Sequence, residues 1–186
     1  ICMARNAAHR AFPDSLEYVR TGRPVCAEGG MADTQIILKN EQATERLAQS
    51  LALQAQPGDA LLLTGPLGAG KSVFARAFLR CFCGNATLDV PSPTYTLVQT
   101  YQAATCTASH FDLWRLGGPD ELEELGWDDA REGVVLVEWP ERLEDLTPSD
   151  ALHIAFPVSA EGLRTVRPQG WAVSRDGSGP SAPPAR

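Results

Sequence analysis

Eight consecutive residues, Gly65-Pro66-Leu67-Gly68-Ala69-Gly70-Lys71-Ser72, constrain this chain more than any others. They satisfy G-x-x-x-x-G-K-[ST] at every fixed position. The pattern has a mechanical reading. Small residues let the backbone curl tightly, so that successive N–H groups converge on phosphate oxygens. A helix starting at the end of the loop adds the positive end of its dipole. The lysine reaches the β- and γ-phosphates, and the hydroxyl beside it ligates Mg²⁺. Only two lysines occur in the chain, Lys39 and Lys71, and one fills the position the motif requires. That scarcity speaks against a glycine turn that binds nothing. The loop therefore predicts nucleotide binding by Gly65, Leu67, Gly68, Ala69, Gly70, Lys71 and Ser72.

The flanks agree with this reading. Ala60–Thr64 (ALLLT) reads as a buried strand leading into the loop. A helix over 71–82 leads out, with Val73, Phe74, Ala77, Phe78 and Cys81 facing inward and Arg76 and Arg80 outward. Upstream, Thr34–Leu38 reads as a strand, and Asn40 caps a helix running to about residue 55. Further strands are predicted at 95–101, 108–113, 133–138, 151–156 and 163–167, with a short acidic helix at 120–125. The alternation predicts an α/β fold: a single P-loop NTPase-like domain with a mixed central sheet flanked by helices.

A phosphate-binding loop needs an acid for its metal, from the end of a buried strand. Two residues qualify. Val134–Glu138 (VVLVE) ends in Glu138, which otherwise caps the turn at Pro140. Asp112 ends His110-Phe111-Asp112 and otherwise pairs with Arg115. Which acid meets Mg²⁺ directly stays open. Thr94 lies in Pro91-Ser92-Pro93-Thr94-Tyr95-Thr96, between the loop helix and the next strand. A threonine in that interval either senses the γ-phosphate or makes a local turn bond where a strand begins. Neither lysine follows an asparagine, so a guanine-reading N-K-x-D motif is absent and ATP is favoured over GTP.

The chain carries 16 Lys+Arg against 23 Asp+Glu, a formal charge of −7, which argues against a protein that coats nucleic acid by itself. Between residues 112 and 150 there are 13 acids and three arginines. That run is either a solvated face or a dock for a basic partner, and it opposes direct grasp of nucleic acid. Apolar runs are far too short for a membrane span. Five cysteines without framework spacing suggest reduced thiols, and Cys81 and Cys83 read as packing thiols rather than a zinc site. Residues 1–30 begin with Ile1, lack clear periodicity and hold no continuous apolar segment of a secretory signal. They are expected to be an unstructured extension ahead of a natural start at Met31. A domain over 31–173 and a disordered tail over 174–186 complete the expected organisation, and the protein is expected to be cytoplasmic.

Taken together, several motifs resemble the bacterial TsaE (YjeE) family. They are G-x-L-G-A-G-K-S, S-P-T-Y-T-L-V at 92–98, H-F-D-L-W-R-L at 110–116, E-L-E-E-L-G at 121–126 and V-E-W-P-E-R at 137–142. The resemblance runs in order over about 32–173. It implies a P-loop ATPase needed for threonylcarbamoyladenosine in tRNA, using ATP and Mg²⁺. It also implies weak activity alone, and association with the transferase TsaD and its inactive homologue TsaB, whose complex is reset by hydrolysis. By motif, Lys71 and Ser72 hold phosphate and metal, and Glu138 is a metal or water-positioning acid. Asp112 is a second functional acid, Thr94 the switch threonine, and Trp139 the tryptophan beside the site. Thr44 and Arg164 resemble positions lining the nucleotide. The family usually has Asp where this chain has Pro66, which also lacks a backbone N–H.

Overall fold

The computed structural model describes residues 17–20, 34–118, 120–157 and 164–169. Among the described residues, eight strands form one sheet in the order β1-β2-β8-β7-β3-β6-β5-β4. They are β1 (Glu17–Arg20), β2 (Thr34–Leu38), β3 (Ala60–Thr64), β4 (Val98–Gln102), β5 (Thr107–Asp112), β6 (Val134–Glu138), β7 (Leu152–Ala155) and β8 (Arg164–Gln169). The strands β7, β3, β6 and β5 run parallel, and the outer pairings are antiparallel. Such parallel strands are buried on both faces, and β3 and β6 are accordingly almost wholly apolar. The strand β8 spans two partners. Its first half pairs with β2 and its second half with β7.

Alternation along each strand divides the core in two. On one face, Leu61, Leu63, Val134, Leu136 and Ile154 pack against the helices α1 (Glu41–Ala52) and α2 (Lys71–Phe82). On the other, Ala60, Leu62, Phe111, Val135 and Val137 pack beneath two short helices, α3 (Asp120–Glu124) and α4 (Trp127–Ala130), and a 3-10 segment, Pro140–Leu146. Asn40 caps α1 as expected, its side chain accepting from the Ala43 amide at 2.9 Å.

The expected mixed sheet flanked by helices is what forms. Differences lie at boundaries. The helix expected to reach residue 55 ends at Ala52. The strand expected from 95 starts at Val98, because the Leu97 amide turns back to the Pro93 carbonyl and Leu97 takes a φ of 62°. Within the segment expected to be unstructured, Glu17–Arg20 pairs with β2 as an added edge strand. The rest of 1–30, and the tail expected over 174–186, lie outside the described residues. Cys81, Cys83 and Cys106 are free and half-buried, and no group of three or more metal-ligating side chains occurs among the described residues. No helix among them is long and apolar enough to cross a membrane.

Candidate functional site

The loop 65–70 joins the C-terminal end of β3 to the first turn of α2. Its two ends demand glycine. Gly65 has a φ of 144°, and a Cβ there would lie 2.8 Å from the Phe156 carbonyl oxygen, so that only a bare backbone fits beside the end of β7. Gly70 caps α2 in the left-handed region at φ 110°. The first intrahelical bond runs from the Phe74 amide to the Gly70 carbonyl at 3.0 Å, so the amides of Lys71, Ser72 and Val73 precede the helical ladder. Those amides, at the positive end of α2, suit an anion. The Ala69 amide is instead bonded to the Pro66 carbonyl at 3.2 Å, an internal turn within the stretch expected to turn successive amides toward phosphate.

Lys71 is buried, with 5% of its surface exposed. Its ammonium donates to the Gly65 carbonyl at 2.6 Å and the Pro66 carbonyl at 3.0 Å, and lies 4.3 Å from the centroid of the Trp139 ring. Burial pushes its pKa below the ordinary lysine value, and Glu138, Asp112 and Glu141 pull it back upward. Pro66 thus serves the loop through its carbonyl, where the missing N–H is no loss.

Glu138 and Asp112 end β6 and β5 and stand opposite each other in register. Both are buried on the α2 face. Ser72 Oγ donates toward Glu138 at 3.2 Å to Oε1 and 3.4 Å to Oε2. Asp112 gathers a different set. Thr94 Oγ1 donates to its Oδ2 at 2.9 Å, Ser92 Oγ approaches the same oxygen at 3.4 Å, and the Trp114 amide donates to Oδ1 at 3.2 Å. Arg115, the alternative partner for Asp112, lies over the Tyr95 ring instead. The prolines at 91 and 93 limit the backbone of the segment that presents Thr94. Trp139 follows Glu138 in the left-handed region, at φ 61°, and its indole meets that of Trp114 at 4.4 Å.

The structure therefore gathers the 65–72 loop, Thr94, Asp112, Glu138 and Trp139 at one end of the parallel strands. Thr44 lies on the buried face of α1, on another element. Arg164 belongs to β8, opposite Leu38, and its side chain lies outside the described residues. Sequence reading did not single out His110. It is buried, and its Nε2 lies 3.0 Å from Glu138 Oε1. The available signal was spacing: His110 and Asp112 are two residues apart on one strand and so share a face.

Oxygen donors dominate around the loop, and the serine hydroxyl beside a carboxylate suits a hard divalent cation. Magnesium takes few protein ligands when phosphates supply others, so a cage of three side chains is not required. Two clefts of about 460 Å³ each lie away from the loop. One is acidic, lined by Asp120, Glu123, Asp128, Glu144 and Asp145 around Trp127. The other runs between β4, β5 and α4.

The sequence model described as threonylcarbamoyl adenosine biosynthesis protein TsaE matches residues 38–166. The chain is 41% identical over 130 residues to the tRNA threonylcarbamoyladenosine biosynthesis protein TsaE of Rickettsia felis, covering 69% of this chain and 75% of that protein. It is 35% identical over 129 residues to the Bacillus subtilis protein of the same name, covering 68% and 79%. The crystal structure of Bacillus subtilis YdiB is similar in fold, with a TM-score of 0.57 and 29% identity, over 71% of this chain and 81% of that one. A phosphate-loop architecture matched by family, relatives and solved structure alike leads to one conclusion: this chain belongs to the TsaE family of tRNA threonylcarbamoyladenosine biosynthesis.

Proposed function

We propose that this chain is the ATPase subunit of threonylcarbamoyladenosine synthesis on tRNA. In this reading it binds Mg-ATP at the 65–72 loop and hydrolyses it slowly alone and faster with the TsaB–TsaD pair, in the cytoplasm. The observation that carries the reading is the approach of Ser72 Oγ to Glu138 at 3.2 Å, at the head of the helix that also presents Lys71. A hydroxyl, a carboxylate and an ammonium converge where α2 offers its leading amides.

The roles follow from chemistry. The α2 amides and Lys71 bind the phosphate tail and favour its negative charge. Ser72 and Glu138 hold the metal, and Glu138 or Asp112 orients the attacking water. Magnesium, when bound, neutralises charge on the phosphate oxygens. Thr94, held on Asp112, senses the γ-phosphate. Trp139 walls the site beside Lys71. Thr44 and Arg164 are assigned to the nucleotide by family resemblance. The acidic cleft between α3 and the 140–146 segment supports a basic partner surface rather than direct nucleic-acid binding.

Phosphate release with and without purified TsaB and TsaD tests this reading. Hydrolysis that rises with the pair supports it. Calorimetry showing no heat with Mg-ATP overturns it, and label transfer to a small acceptor makes the chain a kinase instead.

A further inference from the structure

The mechanism above leaves His110 without a role, although its surroundings are specific. The imidazole is 1% exposed. It sits on β5 opposite Leu136, on the sheet face that carries Asp112 and Glu138. Its Nε2 lies 3.0 Å from Glu138 Oε1, and its Nδ1 is buried without a hydrogen-bond partner among the described residues. An ionised carboxylate only accepts, so the proton of this contact belongs on Nε2. Nδ1 then carries a lone pair rather than an N–H, and no donor meets it among the described residues.

Glu138 has three side-chain torsions to fix, and two donors from different elements fix them. Ser72 approaches from the first turn of α2, and His110 from β5. Trp139, the next residue, cannot share this task, because its indole faces Lys71 and Trp114. We infer that His110 is a positioning residue: its Nε2–H holds the Glu138 carboxylate against Ser72 in one orientation at the mouth of the loop. A histidine that merely filled the core would need no particular nitrogen, and an apolar ring of similar volume would replace it.

The effect on turnover rests on the ATPase reading, whereas the contact itself does not. Two measurements keep them apart. The first is nitrogen-15 NMR of the full chain, which contains three histidines, His9, His110 and His153. The expected result is a His110 imidazole protonated on Nε2, with a proton resonance that moves in Glu138→Gln. Protonation on Nδ1, or a signal unmoved by Glu138→Gln, overturns the inference.

The second measurement is hydrolysis with the TsaB–TsaD pair. His110→Phe keeps a ring and removes the donor, so kcat is expected to fall about 10–100-fold with nucleotide affinity held within about threefold. His110→Gln, which places an amide N–H at similar reach, is expected to recover most of that loss. A folded His110→Phe with parental kcat, or a Gln variant as slow as Phe, overturns the inference. A parent chain that hydrolyses no ATP defeats the ATPase reading and leaves the NMR result to decide the contact.

Discussion

Asp112 and Glu138 end neighbouring parallel strands as register partners, yet each recruits its own hydroxyl: Thr94 for Asp112 and Ser72 for Glu138. The buried ammonium of Lys71 is attracted to both. The pair is therefore divided by its donors. Glu138 belongs to the head of α2, and Asp112 to the proline-flanked segment before β4.

Lys71→Ala removes the loop's buried ammonium. The loss of charge-assisted contacts, each about 1.5–3 kcal/mol, is expected to weaken ATP binding tenfold or more and to abolish hydrolysis. Calorimetry with Mg-ATP checks this. Unchanged affinity would remove Lys71 from the phosphate site.

Glu138→Ala is expected to lower turnover by about 10²–10⁴-fold, the range of a lost general base or water-orienting group, with nucleotide binding largely kept. Steady-state hydrolysis and equilibrium binding on the same samples separate the two effects. Full turnover in this variant would make Asp112 the principal acid.

Thr94→Ala and Asp112→Ala break one 2.9 Å contact from either side. Their effects on ATP turnover are expected to be non-additive, with a coupling of about 0.5–3 kcal/mol in a double-mutant cycle. Additive effects would mean that Thr94 acts without Asp112.

Gly65→Ala forces a Cβ to within 2.8 Å of the Phe156 carbonyl at a backbone φ of 144°. A destabilisation of about 1–3 kcal/mol is expected from strain at this conformation. Urea unfolding measures it. An unshifted midpoint would show that the β7 end yields freely.

Alkaline pH provides a further check. Burial raises the thiol pKa of both Cys81 and Cys83 above the ordinary 9.0, with the neighbouring Cys106 adding to the rise at Cys83. The folded chain thus holds these protons more firmly than the unfolded chain. Their stabilising contribution is complete below pH 9.0 and is lost as pH rises through the folded values. The parent is therefore expected to lose stability relative to Cys81→Ala/Cys83→Ala above that pH. Urea midpoints for both proteins between neutral and alkaline pH test the sign.

Much of the site was legible because its chemistry is local. The 65–72 loop carries its own geometry in glycine, lysine and serine, and the α2 boundaries read from the sequence coincide with Lys71–Phe82. Apolar runs likewise marked β3 and β6, since parallel strands are buried on both faces. Pairing was not legible in the same way. Nothing local tells β8 to share itself between β2 and β7, or Glu17–Arg20 to add an outer strand. The short helix at Trp127 and the 3-10 turns after Trp139 also escaped, being too short for helical periodicity to register. His110 escaped for another reason. Its importance lies in Glu138, 28 residues away in the chain, and only strand register brings them together.

The strand that feeds the loop lies between β6 and β7, both made long after it, and the Phe156 amide bonds to the Thr64 carbonyl at 2.8 Å. During synthesis the ribosome therefore emits Gly65 well before anything can shape it. A nascent chain ending before residue 156 carries the whole motif as text and lacks its walls. If the loop binds ATP as proposed, that competence should arrive late and abruptly, as non-local pairings close around a strand already waiting.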